Sequence, residues 1–314
     1  MHCYRLTFTA PFHVDSRGNH FYEESNSFIH SDTLSAAIIA TWAMIEPEQA
    51  QKKAEQPGFL LSSAFPYYMD CYFLPRSLHS HAIRLEENKL TETKKLKKIQ
   101  WLDSKLWKRA FNQKDWIEKI SICQNVLATK DSSLPDRLWV EEERPRLAME
   151  RASNHAAESQ LFNFSRIWFH EKGGLYFLAK FDTEDDRRRF EMLLSWLGDS
   201  GIGADRSNGN GCFTWEEGDN PGLQWAANET AIALSLVNPS PADCQTGWLE
   251  NAAYKLVSRG GWIGSTGKRK QRLRMFAEGS VFKQRLQGRM VDVSGEYAKH
   301  KIYRDGRGFF VKAG

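Results

Sequence analysis

The chain has 314 residues, 41% hydrophobic and 12% aromatic, enough apolar matter for one large core or two modest ones, which excludes the disordered and fibrous classes. Its longest uncharged apolar stretch, Thr33 to Ile45, has 13 residues, short of the about 20 that a membrane helix needs. The amino terminus also lacks a basic, apolar, small-residue leader, so a soluble cytoplasmic chain is expected. Five cysteines (Cys3, Cys71, Cys123, Cys212 and Cys244) are odd in number and form no C-x-x-C, which argues against a disulfide framework and a thiolate zinc site. The net charge of +4 hides a segregation: Lys255–Arg289 has ten Lys or Arg against one acid, Glu278, and Lys89–Lys119 has ten against four. Clustered cations of this kind suit a polyanion, whose neutralisation releases counterions; the alternative is a solvated helix face.

In chain order, Tyr4, Leu6 and Phe8 alternate as in a half-buried strand. A loop with Asp15, Arg17 and Gly18 follows, and Ser31 or Asp32 is placed to cap a helix whose stripe is Leu34, Ala37, Ile38, Thr41 and Ile45, ending before Pro47. Short strands are predicted at Phe59–Phe65 and Tyr72–Leu74, punctuated by Pro66 and Pro75. Residues 90–139 are Lys-rich and weakly helical, with Leu96, Ile99, Leu102 and Leu106 three or four apart, and are read as an insertion.

Alternation returns at Arg146–Arg151, Ile167–Phe169 and Leu175–Ala179, with Gly173-Gly174 as the turn of a long antiparallel hairpin. Thr183 then caps a helix with Phe190, Leu193, Leu194 and Leu197 on one face and Glu184, Asp185 and Asp186 at the positive end of its dipole, stopping at Gly198. Five glycines fall within Gly198–Gly211. A domain boundary is placed near 217–228. Beyond it come a strand at Ala231–Val237 and strand-like runs at Tyr254–Ser258, Leu273–Phe276, Ile302–Tyr303 and Gly308–Lys312. No repeat period is evident.

The glycine-rich segment leads from a helix into a strand, the reverse of a dinucleotide fingerprint, and Gly264–Arg269 is two residues too short between its glycines for a Walker loop. Glycines still allow positive φ and close backbone approach to an anion, and Arg206 adds a charge-assisted contact. His79-Ser80-His81 offers only two metal ligands, so no metal and no cofactor is expected. His13, His30 and His170 are placed where one of them could deprotonate a 2′-hydroxyl, although for each a hydrogen-bonding or stacking side chain is the favoured reading. Among the tryptophans, Trp101, Trp107, Trp116 and Trp262 lie amid basic residues and are the ones that could stack on bases or on a partner subunit, with core or interface packing the favoured reading.

The order strand, helix, basic insertion, hairpin, helix, glycine-rich loop, strand reads as a ferredoxin-like βαββαβ unit. In this it resembles the RAMP superfamily of CRISPR proteins, and most closely the fourth subunit of the type III-A Csm effector complex. Phe28-Ile29-His30-Ser31-Asp32-Thr33-Leu34 looks like the family's lead into its first helix, and Pro145-Arg146-Leu147-Ala148-Met149-Glu150-Arg151 like its central strand. Gly201-Ile202-Gly203-Ala204-Asp205-Arg206-Ser207-Asn208-Gly209-Asn210-Gly211 is similar to its G-[IL]-G-x-D-R-S-x-G-x-G loop, with Ala204 where glycine is common. Similar features run from Tyr4 to Tyr303-Arg304-Asp305-Gly306, while residues 90–139 match no family pattern.

The resemblance implies an α+β chain of two ferredoxin-like (RRM-like) domains. The first spans 1–220, with the insertion at 90–139, the long hairpin and the loop at 198–211, and the second spans 225–314. It also implies a non-catalytic scaffold that caps the 5′ handle of the crRNA and bridges the large polymerase-like subunit to the backbone RAMP subunits. The expected RNA contacts are His30, Ser31, Arg146, Arg151, Gly201, Gly203, Asp205, Arg206, Ser207, Asn208, Gly209, Gly211, Arg259, Trp262, Lys268 and Arg269. The rival is a related endoribonuclease that cleaves repeat RNA with a histidine base; a DNA-binding module lacks a recognition helix.

Overall fold

Strand β1 (His2–Phe8) buries Cys3, Tyr4 and Leu6 and lies second from one edge of the main sheet of the computed structural model. The structure describes residues 1–15, 22–79, 95–107, 120–149, 156–264, 267–295, 298 and 300–313. After β1 come α1 (Ser31–Ile45), α2 (Pro47–Glu55), β2 (Phe59–Leu61), β3 (Phe65–Tyr68) and β4 (Cys71–Pro75). The predicted stripe of α1 holds, with Leu34, Ile38, Thr41 and Trp42 buried. The cap differs, because His30 occupies the N-cap and Ser31 and Asp32 are inside the helix, where tertiary partners take their side chains. Helix α2 has no buried residue and so no stripe to detect; Pro47 in its first turn and Lys52 and Lys53 in its last stabilise it locally.

The insertion is part helix and part sheet, with residues 95–97 and 104–107 helical. Its described residues form β5 (Trp101–Asp103), β6 (Ile120–Cys123) and β7 (Val126–Thr129), with β5 antiparallel to β4 and parallel to β7. Leu96, Ile99, Leu102 and Leu106 are all buried as their spacing requires; Leu96 and Leu106 are helical, whereas pairing with β4 draws Leu102 into a strand.

The long hairpin also differs in its pairing. It joins β8 (Trp139–Met149) to β9 (Ala156–Phe169), while β10 (Gly173–Phe181) leaves it to pair with β1. Gly173 and Gly174 are strand residues, and a Cβ on Gly174 would sit 2.1 Å from the Leu6 carbonyl oxygen, so the glycine serves close strand approach, not a turn. Helix α3 (Glu184–Ser200) is capped by Thr183, whose Oγ1 accepts the Asp186 N–H at 3.1 Å, and buries the four predicted apolar residues. It runs past Gly198, where a Cβ would meet the Phe213 carbonyl oxygen of β11 (Phe213–Gly218) at 2.4 Å.

The resulting strand order is β11-β1-β10, then β2 and β3 both on β10, then β4-β5-β7-β6. Helices α1 and α3 pack together and against β2, and Phe190 of α3 makes tilted and edge-on ring contacts with Tyr4, Phe59, Phe177 and Phe181.

The described residues of 225–314 show no second βαββαβ unit of the kind expected. β12 (Ala231–Ala233) is flanked by β15 (Val281–Phe282) and β18 (Phe310–Lys312), beside the hairpins β13 (Leu256–Arg259)–β14 (Leu273–Phe276) and β16 (Gly288–Asp292)–β17 (Tyr303–Arg307). No α-helix occurs among the described residues of this part. Glycine falls at 247, 260, 261, 264, 267, 279, 288, 295, 306, 308 and 314, which disfavours helix from residue 247 onward. Alternation along β12 sends Ile232 and Leu234 into the main core and Ala231 and Ala233 into a smaller one with Val237, Phe276 and Phe310. The two parts of the chain therefore share a core. No helix among the described residues is long and apolar enough to cross a membrane.

Candidate nucleic-acid interface

The lead into α1 is the point where the two parts are tied together. Asp32 is fully buried; its Oδ2 accepts from Arg259 Nε and its Oδ1 from Arg259 Nη2, each at 3.0 Å, and Arg304 Nη1 donates to Oδ2 as well. Burial would raise the Asp32 pKa, but the charges of Arg259 and Arg304 outweigh it and hold the carboxyl far below the usual range. Beside it, His30 Nδ1 lies 2.8 Å from Glu278 Oε1, and Ser63 Oγ donates to the same oxygen. The Ser31 hydroxyl accepts the Leu236 N–H at 3.0 Å. Among the expected RNA contacts, His30, Ser31 and Arg259 are thus buried and engaged inside the protein.

The glycine-rich loop is held by Asp205, a non-glycine residue at φ 62°. Its carboxylate accepts from Arg146 Nη2, from Asn208 Nδ2 at 2.6 Å and from Asn210 Nδ2 at 2.9 Å. Burial raises its pKa, but the Arg146 and Asn208 hydrogen bonds lower it further, leaving a net depression. Gly203 (φ 96°) abuts the His13 carbonyl oxygen, 2.3 Å from where a Cβ would lie, and Gly211 (φ 78°) abuts that of Ile202 at 2.0 Å. Several amides are spent internally: Ala204 N–H on His13 O (2.9 Å), Ile202 N–H on Gly211 O (3.0 Å) and Gly211 N–H on Pro11 O (2.8 Å). These glycines fold the loop onto Pro11–His13. Ala204 is not among the positive-φ residues, so alanine is unstrained there. Only the crown of the loop, Arg206, Ser207, Asn208 and Gly209, is exposed, and a Cβ on Gly209 would meet nothing within 4 Å.

Loop, α1 and the basic C-terminal segment enclose a cleft of about 490 Å³. Of the expected contacts, Gly201, Gly203, Arg206, Arg259 and Trp262 line it. Lys268 and Arg269 lie outside the wall, on the same turn as Trp262, with the Arg269 guanidinium 4.9 Å from the Trp262 ring centroid. Arg146 stands behind the loop over Phe164, and Arg151 lies outside the described residues. The cleft also has walls that sequence reasoning did not assign: Asp32, Lys270 and Arg304. Lys270 is half-buried, and burial together with the nearby Arg304 charge lowers its pKa.

Among the histidines, His13 is buried with Nδ1 on the Ser165 carbonyl oxygen at 2.7 Å; burial lowers its pKa, against which the Ser165 bond works only in part. His170 Nδ1 accepts the Lys172 N–H at 3.1 Å. Trp101 and Trp107 are core residues, 1% and 2% exposed, not stacking platforms; Trp116 and His81 lie outside the described residues. Among the described residues no three His, Cys, Asp or Glu side chains are grouped to hold a metal.

Comparison with known proteins places this architecture. Residues 226–313 match the CRISPR Csm4 C-terminal domain and residues 47–201 the CRISPR-associated protein family Cas_Cmr3. The CRISPR system Cms protein Csm4 of Thermococcus onnurineus (strain NA1) is 28% identical over 268 residues, 81% of each chain. Its counterpart in Mycobacterium tuberculosis (strain ATCC 25618 / H37Rv) is 25% identical over 301 residues, 94% of this chain and 93% of that one. The fold is similar to a chain of the crystal structure of the Csm3-Csm4 subcomplex in the type III-A CRISPR-Cas interference complex, with TM-score 0.68, 19% identity and 99% of each chain covered. It is also similar to a chain of the Csm1-Csm4 cassette in complex with AMPPNP, with TM-score 0.58, 20% identity, and 99% and 96% covered.

These matches, with which the large mixed sheet and few helices are consistent, support a RAMP-type subunit of a type III CRISPR effector complex. Within that class the matches, a Csm4 C-terminal domain at 226–313 among them, support the fourth subunit of Csm complexes.

Proposed function

We propose that the chain is a non-catalytic, cytoplasmic RNA-binding scaffold of a type III-A complex, capping the 5′ handle of the crRNA and bridging the large polymerase-like subunit to the backbone subunits. The observation that carries this reading is the cleft. Segments far apart in sequence, around His13, Thr33, Gly203, Gly260 and Arg304, converge on it. Its wall holds Arg206, Arg259, Lys270 and Arg304 against Asp15 and the already neutralised Asp32, a balance suited to phosphates. The bridging role draws support from solved relatives whose Csm4 chains stand beside Csm3 in one crystal and Csm1 in another. A ferredoxin-like first domain is supported by the antiparallel order β11-β1-β10-β2, which is 4-1-3-2 in a βαββαβ unit with α1 and α3 as its helices.

The test is binding of the purified chain to labelled single-stranded RNA carrying the handle of its own repeat, against a scrambled RNA of equal length. Tighter binding to the handle, weakening with salt, is expected. Equal affinity for both RNAs would overturn the capping role.

A further inference from the structure

The hairpin β13–β14 is satisfied along one edge and open along the other. The Ala277 N–H donates to the Lys255 carbonyl oxygen at 2.8 Å, which makes 255, 257 and 259 the residues bonded across the hairpin and turns the backbone groups of Leu256 and Ser258 outward. On the β14 side the outward groups have partners. Phe276 exchanges both backbone bonds with Val237, at 2.8 and 3.0 Å, and the Arg274 carbonyl oxygen accepts from Asn238 Nδ2 at 3.1 Å. On the β13 side the N–H and C=O of Leu256 and Ser258 have none among the described residues.

This free edge is also apolar. Leu256 stands opposite Phe276, and the Tyr254 ring meets Phe276 edge-on at 5.0 Å, yet Tyr254 and Leu256 are 45% and 47% exposed. Phe276 belongs to the smaller core, so these two side chains carry that core out to the surface beside unpaired backbone. The cations around the edge define what fits it. Alternation puts Lys255 on the face opposite Leu256, Arg274 stands across from Ser258, and Lys283 follows β15, which bridges to Ala253. All three are exposed and form no ion pair among the described residues. Between residues 244 and 291 the acids are Glu250 and Glu278, and Glu278 is committed to His30 and Ser63. Lys255 lies at the far end of the hairpin from the Trp262–Arg269 turn beside the cleft.

We propose that the free edge of β13 takes up an extended, acidic segment of a partner protein as an added strand, its apolar side chains against Tyr254 and Leu256 and its carboxylates toward Lys255. Backbone bonds to Leu256 and Ser258 supply the pairing, and the period of two supplies the choice of sequence. A nucleic acid would meet the cations and leave the strand edge unpaired. The proposal goes beyond the handle-capping reading and does not rest on it.

The experiment titrates the full chain with fluorescent peptides of about ten residues: one alternating Val and Glu, one alternating Val and Lys, and the Val–Glu peptide with its central valines replaced by proline, which removes amides on the bonding side. The Val–Glu peptide should bind about tenfold more tightly than the other two and weaken with salt. Ser258→Pro deletes an outward N–H that β14 does not use, and Leu256→Lys breaks the apolar face. Each should cost about tenfold in peptide affinity, with thermal melts and handle-RNA binding at wild-type values. Lys255→Glu should move the preference toward the Val–Lys peptide.

Equal affinity for the Val–Glu peptide and its proline version, or wild-type peptide affinity in both Leu256→Lys and Ser258→Pro, would overturn the added strand. So would loss of handle-RNA binding in those variants with peptide binding retained, which assigns the edge to RNA. A concentration-dependent dimer of the free chain that Ser258→Pro abolishes would overturn the acidic partner in favour of a second copy.

Discussion

Replacing Asp32 by alanine tests whether the lead into α1 holds the two parts of the chain together. The carboxylate accepts two hydrogen bonds from Arg259 and one from Arg304, and all three side chains are almost fully buried. Removing one partner of a buried pair costs about 3–5 kcal/mol because the other charge is left uncompensated. Here two guanidiniums are stranded side by side, so the loss should lie near about 5 kcal/mol, a large share of a total of about 5–15 kcal/mol. Asp32→Asn, which keeps an acceptor but not the charge, should lose about half as much. The assay is urea unfolding followed by tryptophan fluorescence, with Arg259→Ala and the double variant closing a cycle whose coupling should exceed about 2 kcal/mol. The folded pKa of Asp32 is depressed below its unfolded value, so its contribution is complete above about pH 4 and is lost as pH falls through the folded value. A loss under about 1 kcal/mol with no coupling would refute the argument.

Gly203→Val should destabilise the fold by about 3 kcal/mol, since it combines positive φ with a Cβ against the His13 carbonyl, whereas Gly209→Ala, at positive φ in open space, should cost about 1 kcal/mol; thermal melts decide between them. Arg206→Ala should leave the melt unchanged and reduce the slope of log affinity against log salt by about one phosphate contact. Handle or repeat RNA incubated with the protein in EDTA should stay uncut; specific cleavage that vanishes in His13→Ala or His30→Ala would revive the endoribonuclease. Reversing the charges of Lys268 and Arg269 together should weaken assembly of the RNA-containing complex more at low salt than at high.

Much of the fold was legible because it rests on local pattern. Tyr4 and Leu6 in β1, the stripe of α1 and the Thr183 cap of α3 follow directly from periodicity and capping. What was not legible depended on partners. Nothing in Gly173-Gly174 distinguishes a turn from a strand that must slide past Leu6, and nothing in Trp101–Asp103 reveals that β4 waits to pair with it. The candidate site divides in the same way. The loop motif located Gly203 and Arg206 on the cleft, but Arg259 looks as free in sequence as Lys270 does. Only the fold shows that the first is consumed by Asp32, more than two hundred residues away, while the second keeps its charge beside the cleft.

That division bears on why the basic segment is there. Its sole acid, Glu278, faces inward to His30 and Ser63 and cannot neutralise the cations around it. Of its ten basic residues, Arg259 alone is buried, whereas Lys255, Lys268, Arg269, Arg272, Arg274, Lys283 and Arg289 are exposed. Self-repulsion on that scale disfavours the free chain. The same chain uses its one local counter-charge for an internal contact that joins residue 278 to the start of α1. A basic surface whose own carboxylate is withdrawn into the core is what the proposed RNA-binding role calls for, and the cleft walls of Lys270 and Arg304 continue that surface inward.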